Sequence, residues 1–303
     1  MVRYGVIIGL AFCLISAAFD VYVAFITQSI NTLVVIFYCF TVSALFFAAC
    51  AFCQKSSPFL SKLNESWRLI AIVNISVLLN WGGLFYALRY LEPAVVGVAS
   101  VACGPALTLI IALATKRSTQ VAFIDTLVSC LVLISVGIML SNSFAGDSGI
   151  ATTTAEQRLL GIASVLVSAV GTVMYTVFSK ELFARQWSIY ETLAVRNIVM
   201  IGVCVIAIPA TGESYALGRE WILPMIILVV AGHLLPIYLI QKTIYYLTPI
   251  HVSLVLLTLP VFVLLLQYLD ARIEFSIATI TAVSLIVFLL SGRALFALTR
   301  GAR

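Results

Sequence analysis

The sequence predicts an all-α polytopic membrane protein, with ten transmembrane helices arranged as two inverted five-helix repeats. Three observations carry that prediction. A chain that is 63% hydrophobic and only 10% charged, with a mean hydropathy of +1.17, has too little polar surface to cover a water-soluble core. Apolar runs of the roughly 20 residues that span a bilayer recur along the whole length, and they are continuous rather than alternating in period two, which selects helices over barrel strands. The chain also writes one segment twice. Tyr86 to Leu113, YALRYLEPAVVGVASVACGPALTLIIAL, has a counterpart 156 residues later in Lys242 to Leu269, KTIYYLTPIHVSLVLLTLPVFVLLLQYL.

The runs fall at 4–27, 32–53, 68–90, 93–114, 120–141, 159–180, 188–209, 221–246, 249–269 and 275–298. The first follows Arg3 and contains the small residues Ser16, Ala17 and Ala18, as a signal peptide does. It nevertheless continues past Asp20 to Ile26, and is expected to be retained as a span. Bulky Phe12 before Cys13 argues against a lipoprotein site. The second ends in Cys50 and Cys53, whose CxxC spacing lacks a second pair or a nearby histidine, so all seven cysteines are expected to be packing residues and no metal or cofactor is implied. The third and fourth meet at Tyr90-Leu91-x-Pro93, and the fourth carries Pro105. The fifth is followed by a connection, 142–158, rich in Ser, Thr and Gly and expected to be flexible. On the sixth, Ser164, Ser168 and Thr172 form a small-residue row suited to close helix contact. Ser188-x-x-Glu191 reads as a capping box that starts the seventh. Pro236 interrupts the eighth, while the ninth repeats the fourth with Pro249 at its start and Pro260 inside. Proline suits a helix's first turn and disrupts its interior, so Pro105, Pro236 and Pro260 are hinge candidates or, alternatively, residues that shape packing.

The offset of 156 is constant, pairing Ser16 with Thr172, Phe19 with Tyr175, Pro93 with Pro249 and Lys116 with Arg272, so the units are 1–150 and 151–303. Successive units of five spans must enter the membrane from opposite sides, which makes them inverted repeats. Loop charge agrees. With both termini cytoplasmic, twelve of the 17 Lys and Arg lie inside, four (Arg89, Arg158, Arg219, Arg272) lie outside, and Arg196 is within a span. This bias accounts for the net charge of +5 without a nucleic-acid partner.

Ionisable groups within spans mark functional candidates, because charge at depth costs about 2–3 kcal/mol or more by insertion scales. Asp20 lies roughly 10 Å below the outer end of the first helix, Arg196 roughly 12 Å inside the seventh and His233 roughly 18 Å into the eighth. The alternative roles are a hydrogen-bonded carboxylate, a snorkelling arginine and a packed imidazole. Tyr22, Asn80, Trp81, Tyr175 and Tyr238 complete the candidate substrate pathway, with Asn74, Gln241 and Ser253 as weaker members; aromatics and amides near span ends also serve as interfacial anchors.

ALRYLEPAVVGVASVACGPALTLIIAL, Tyr175-Thr176-Val177 followed by Ser179-Lys180, and Arg196 together resemble the EamA branch of the drug/metabolite transporter superfamily. Leu113-Ala114-Thr115-Lys116 and Leu269-Asp270-Ala271-Arg272 depart from the family's Leu-Gly-Glu-Arg-like turn by lacking its glutamate. The resemblance implies a secondary transporter. An exporter of amino acids or similar small polar metabolites fits best, with a nucleotide-sugar or sugar-phosphate carrier as the alternative. Multiple phosphates would favour several deep basic residues, and only Arg196 is deep. No HExxH, nucleophile elbow or Walker loop is present, so an enzyme is not expected, and a receptor or scaffold would not require inverted repeats. The implied partners are a small-molecule substrate, the lipid bilayer and protons as a coupling ion, in a bacterial inner (plasma) membrane, as a monomer or a homodimer.

Overall fold

A computed structural model describes residues 2–53, 59–114, 123–146, 149–150, 153–247, 249–256, 258–270, 273–274 and 276–301. Its first part comprises α1 (Val2–Ser29), α2 (Thr32–Cys53), α3 (Phe59–Val77), α4 (Gly83–Tyr90), α5 (Pro93–Ala114), α6 (Phe123–Ala145) and β1 (Gly149–Ile150). The second comprises α7 (Ala155–Ala184), α8 (Ile189–Val195), α9 (Ile198–Ala210), α10 (Arg219–Ile227), α11 (Leu235–Tyr246), α12 (Pro249–Leu256), α13 (Thr258–Gln267), β2 (Ile273–Glu274) and α14 (Ile277–Gly301). Wider π turns, Leu78–Gly82 and Leu228–Leu234, join α3 to α4 and α10 to α11. Among the described residues, seven stretches are long and apolar enough to cross a membrane, and Pro93–Gly104 and Thr279–Gly292 are shorter apolar helices. Lys55, Lys116, Arg117, Arg272 and Arg303 of the charge count, and the side chains of Pro105 and Ser253, lie outside the described residues.

The doubled segment turns in the same way each time. α4 stops at Tyr90 because Leu91 is extended (φ −117°, ψ 161°), and α11 stops at Tyr246 because Leu247 is extended (φ −105°, ψ 151°). Pro93 and Pro249 then open the following helices, where a missing N–H costs nothing.

Four elements differ from the sequence expectation. The third span begins at Phe59 rather than 68, because its first turns are helical but polar: Ser61 donates to Glu65 Oε1 at 3.1 Å, and Lys62 reaches Glu191 at 3.3 Å. A hydropathy window sees only the apolar part of such a helix. The seventh span is not continuous. Arg196 (φ −71°, ψ −13°) and Asn197 (φ −99°, ψ −2°) form a turn between α8 and α9. In the eighth, the π turn ends just before Pro236, with the Leu235 N–H bonded to the Val230 carbonyl five residues back, so the proline's missing donor falls where the helix is already rewired. The connection expected to be flexible is tied down at two points. Gly149 and Ile150 pair antiparallel with Glu274 and Ile273, and Thr154 with Gln157 forms a capping box at the start of α7.

Contacts between the two parts of the chain repeat at the sequence offset. α1 packs along α11, α12 and α13, while α7 packs along α3, α4 and α5. A Cβ on Gly5 would lie 2.7 Å from Leu247, and one on Gly161, 156 residues later, would lie 2.8 Å from Leu91. Each part thus inserts its leading helix against the helix end of the other.

Candidate functional site

The cavity at the centre of this arrangement is walled by α1, the π turn and start of α4, α5, α7, Arg196, α11, α12 and α13. About 100 Å³ of it is open to the centres of water molecules, room for several waters. Four pairs of its lining residues are 156 positions apart: Ser16 with Thr172, Asp20 with Thr176, Leu84 with Ile240, and Ser100 with Leu256. The chemistry is kept in two pairs, hydroxyl with hydroxyl at Ser16 and Thr172 and aliphatic with aliphatic at Leu84 and Ile240, and differs in two, a carboxylate against a hydroxyl at Asp20 and Thr176 and a hydroxyl against an aliphatic chain at Ser100 and Leu256. Asp20 is buried at 3% exposure, and among the described residues no hydrogen bond or ion pair reaches its carboxylate.

Arg196 approaches from the break in the seventh span and has no exposed surface. Its Nη1 donates to the Tyr175 hydroxyl and its guanidinium lies 5.0 Å from the centre of the Tyr175 ring. Tyr175 in turn donates to Gln241 Oε1 at 2.5 Å. Arg196 Nε and Nη2 have no hydrogen-bond partner among the described residues, and neither has Gln241 Nε2.

The break itself is held from α3. Asn74 Nδ2 donates to the Val195 carbonyl at 2.9 Å, and Asn74 Oδ1 accepts from the Val199 N–H at 3.1 Å. These are backbone groups that an uninterrupted helix would pair internally, and the amide pairs them instead. Asn197 Nδ2 donates to Ser43 Oγ at 3.4 Å from the other side. A broken helix with its loose ends satisfied by a neighbour is the form irregular backbone takes at membrane depth.

The π turn at Leu78–Gly82 places Asn80 and Trp81 on the cavity. Ser168 donates to the Asn80 carbonyl at 2.8 Å and Thr172 to Asn80 Oδ1 at 3.0 Å, so the small-residue row on α7 binds the π turn as well as packing against it. Close approach is required here: a Cβ on Gly171 would lie 2.3 Å from the Asn80 backbone nitrogen.

Five of the candidates, Asp20, Asn80, Trp81, Tyr175 and Arg196, therefore share one cavity. Three do not line it. His233 is fully buried in the second π turn, its ring 4.5 Å from that of Phe40, 5.2 Å from Trp81 and 6.2 Å from Phe19, and both ring nitrogens lack partners among the described residues. Tyr22 donates to the Pro224 carbonyl at 3.4 Å. Tyr238 bonds the Tyr190 hydroxyl at 3.1 Å beneath Lys242, whose Nζ is 4.9 Å from its ring centre. Sequence reasoning passed over Ser100 and Phe12 as lining residues, and also Gln267, which donates to Glu92 at 2.6 Å and accepts from the Ala94 N–H at 2.9 Å to hold the start of α5. Glu92, an acidic residue in an apolar turn before a helix N-terminus, was the signal for that last contact. No group of three or more His, Cys, Asp or Glu side chains converges as a metal site would among the described residues.

Pro236 and Pro260 are buried, so their substitution separates hinge from packing. Pro236→Ala and Pro260→Ala are expected to slow flux several-fold with small changes in melting temperature. Parallel losses in flux and in stability would assign them to packing.

The model of the EamA-like transporter family matches residues 3–142 and 159–291, nearly the whole chain in two halves. No curated protein matches the sequence. A solved structure described only as "Crystal structure of protein" resembles the chain over 97% of both chains, with a TM-score of 0.64 and 19% identity, a likeness of fold alone.

Proposed function

We propose that this chain, which belongs to the EamA-like transporter family, is a secondary carrier that exports amino acids or similar small polar metabolites by alternating access. The observation that carries the reading is that the cavity is lined from both halves by residues at equivalent repeat positions. In this reading the units 1–150 and 151–303 are inverted five-helix repeats, ten spans in all, with both termini cytoplasmic in a bacterial inner membrane. Exchange of shape between the halves then opens the cavity alternately to each side. A single basic residue at the cavity, Arg196 among the described lining residues, supports metabolites with one carboxylate over those with several phosphates.

Flux into proteoliposomes, measured over a panel of amino acids, sugar phosphates and related metabolites with and without a pH gradient, tests the reading. Transport of amino acids is expected; preferential transport of sugar phosphates would favour the alternative carrier class, and no flux of any compound would overturn the proposal. We assign proton coupling to Asp20 or His233, because both are buried, His233 with neither ring nitrogen partnered among the described residues, and histidine in water titrates in the physiological range. At least one of Asp20→Asn and His233→Gln should lose the acceleration by a pH gradient, and His233→Gln, outside the cavity lining, should keep parental substrate binding. If both variants respond to the gradient as the parent does, neither is the coupling site.

A further inference from the structure

Arg196 is a buried guanidinium with one edge in use and one edge idle. Nη1 is occupied by the Tyr175 hydroxyl, while Nε and Nη2 are without partners among the described residues. Those two N–H groups point the same way in a planar guanidinium and form the parallel fork that receives both oxygens of one carboxylate. A lysine would present no such fork. The Tyr175 ring and hydroxyl, steadied by Gln241, hold the group in place, and the turn stapled by Asn74 sets its backbone. Leaving a desolvated cation half-satisfied is unfavourable, so an anion that enters when the cavity opens relieves an existing deficit. The same cavity holds one counterpart of opposite sign. Asp20 lines it, is nearly fully buried, and forms no ion pair with Arg196 or with any other described residue.

Resting on the carrier reading above, we propose that the Nε–Nη2 edge of Arg196 holds the substrate's carboxylate while Asp20 holds its ammonium group, so that the protein selects zwitterions over anions and cations of the same size. A singly charged analogue would satisfy one of the two buried charges and leave the other uncompensated. Selection of this kind follows from the penalty on unpaired buried charge rather than from the strength of either contact.

The test uses the full-length protein in proteoliposomes, with leucine and serine as labelled substrates. The competitors are leucinamide and serinamide, which lack the carboxylate, and 4-methylpentanoate and 3-hydroxypropanoate, which lack the ammonium group. At least one amino acid is expected to be carried, with its singly charged analogues competing at least about tenfold more weakly. Arg196→Lys, which keeps the charge and removes the fork, should raise the half-saturating amino-acid concentration about tenfold or more, and Arg196→Gln should shift competition towards the amide. Asp20→Asn should shift it towards the deaminated acid. These opposite shifts in selectivity are not what a folding defect produces, and competitive binding to detergent-purified protein reads them even where a variant transports slowly. Equal competition by the analogues, or the same change in all three affinities in each variant, overturns the proposal. Vesicles that carry other panel metabolites but neither leucine nor serine also overturn it while leaving the carrier reading intact. Vesicles that carry nothing overturn both.

Discussion

Gly171→Ala is expected to lower stability by about 3 kcal/mol or more, at or beyond the upper end for an overpacked core site. The added methyl would sit 2.3 Å from the Asn80 backbone nitrogen and 2.7 Å from its Cα, and backbone cannot swing aside as a side-chain tip can. α7 must then withdraw from the π turn, which also breaks the Ser168 and Thr172 hydrogen bonds to Asn80. Gly83→Ala meets the Ser164 carbonyl at 2.5 Å on the same crossing and should behave alike. Gly137→Ala, Gly202→Ala and Gly292→Ala are the controls, since a Cβ there meets nothing within 4 Å. They should leave the melting temperature unchanged or raise it, since alanine gains roughly 0.5–1 kcal/mol of stability over glycine in a helix. Thermal unfolding in detergent decides the matter, and a Gly171→Ala protein melting within the spread of the controls would refute the close crossing.

Asn74→Ala is the second large effect. The substitution removes one side chain and strands two backbone groups, the Val195 carbonyl and the Val199 N–H, while the Ile70 carbonyl loses only an additional bond within α3. At about 1–3 kcal/mol for each buried group left unpaired, the expected loss is about 2–5 kcal/mol. Ser76→Ala, two residues along, is the comparison, because Ser76 only bonds the Ile72 carbonyl one turn back at 2.7 Å. It should cost about 1 kcal/mol or less. Flux should fall further than stability in Asn74→Ala, since the turn that aims Arg196 would lose its support. A protein that keeps parental melting and parental flux would show that the break in the seventh span holds itself.

The reach of sequence reasoning can be judged on particular residues. Both Tyr-Leu-x-Pro turns were legible because proline and the residue before it act locally, through φ and a missing donor. The Ser188–Glu191 capping box was legible for the same reason, and it forms with Glu191 Oε2 accepting from the Ser188 N–H at 2.7 Å. Asp20, singled out as an ionisable group at depth, lines the cavity, as do Ser16 and Thr172, a pair that the repeat offset matched. The break at Arg196–Asn197 was not legible, since the competing partner, Asn74, is 121 residues from Val195. Nor was the π turn at Leu78–Gly82, whose wider winding is partnered by Ser168, 88 residues from Asn80.

What the sequence determined alone was the solvent of the chain and its rhythm: apolar stretches that belong in lipid, prolines that open helices, and a segment written twice at a constant offset. What only the tertiary structure decided was direction. In a water-soluble helix the apolar stripe says which face turns inward, but in a bilayer the outward face is apolar as well. Asp20, Arg196, His233 and Tyr238 were therefore equivalent on the page as polar residues in apolar helices. Packing across the two halves placed Asp20 and Arg196 on one cavity, enclosed His233 among Phe19, Phe40 and Trp81, and set Tyr238 beside Tyr190, because hydrogen bonds and ring contacts between distant segments leave no periodic trace in the chain that makes them.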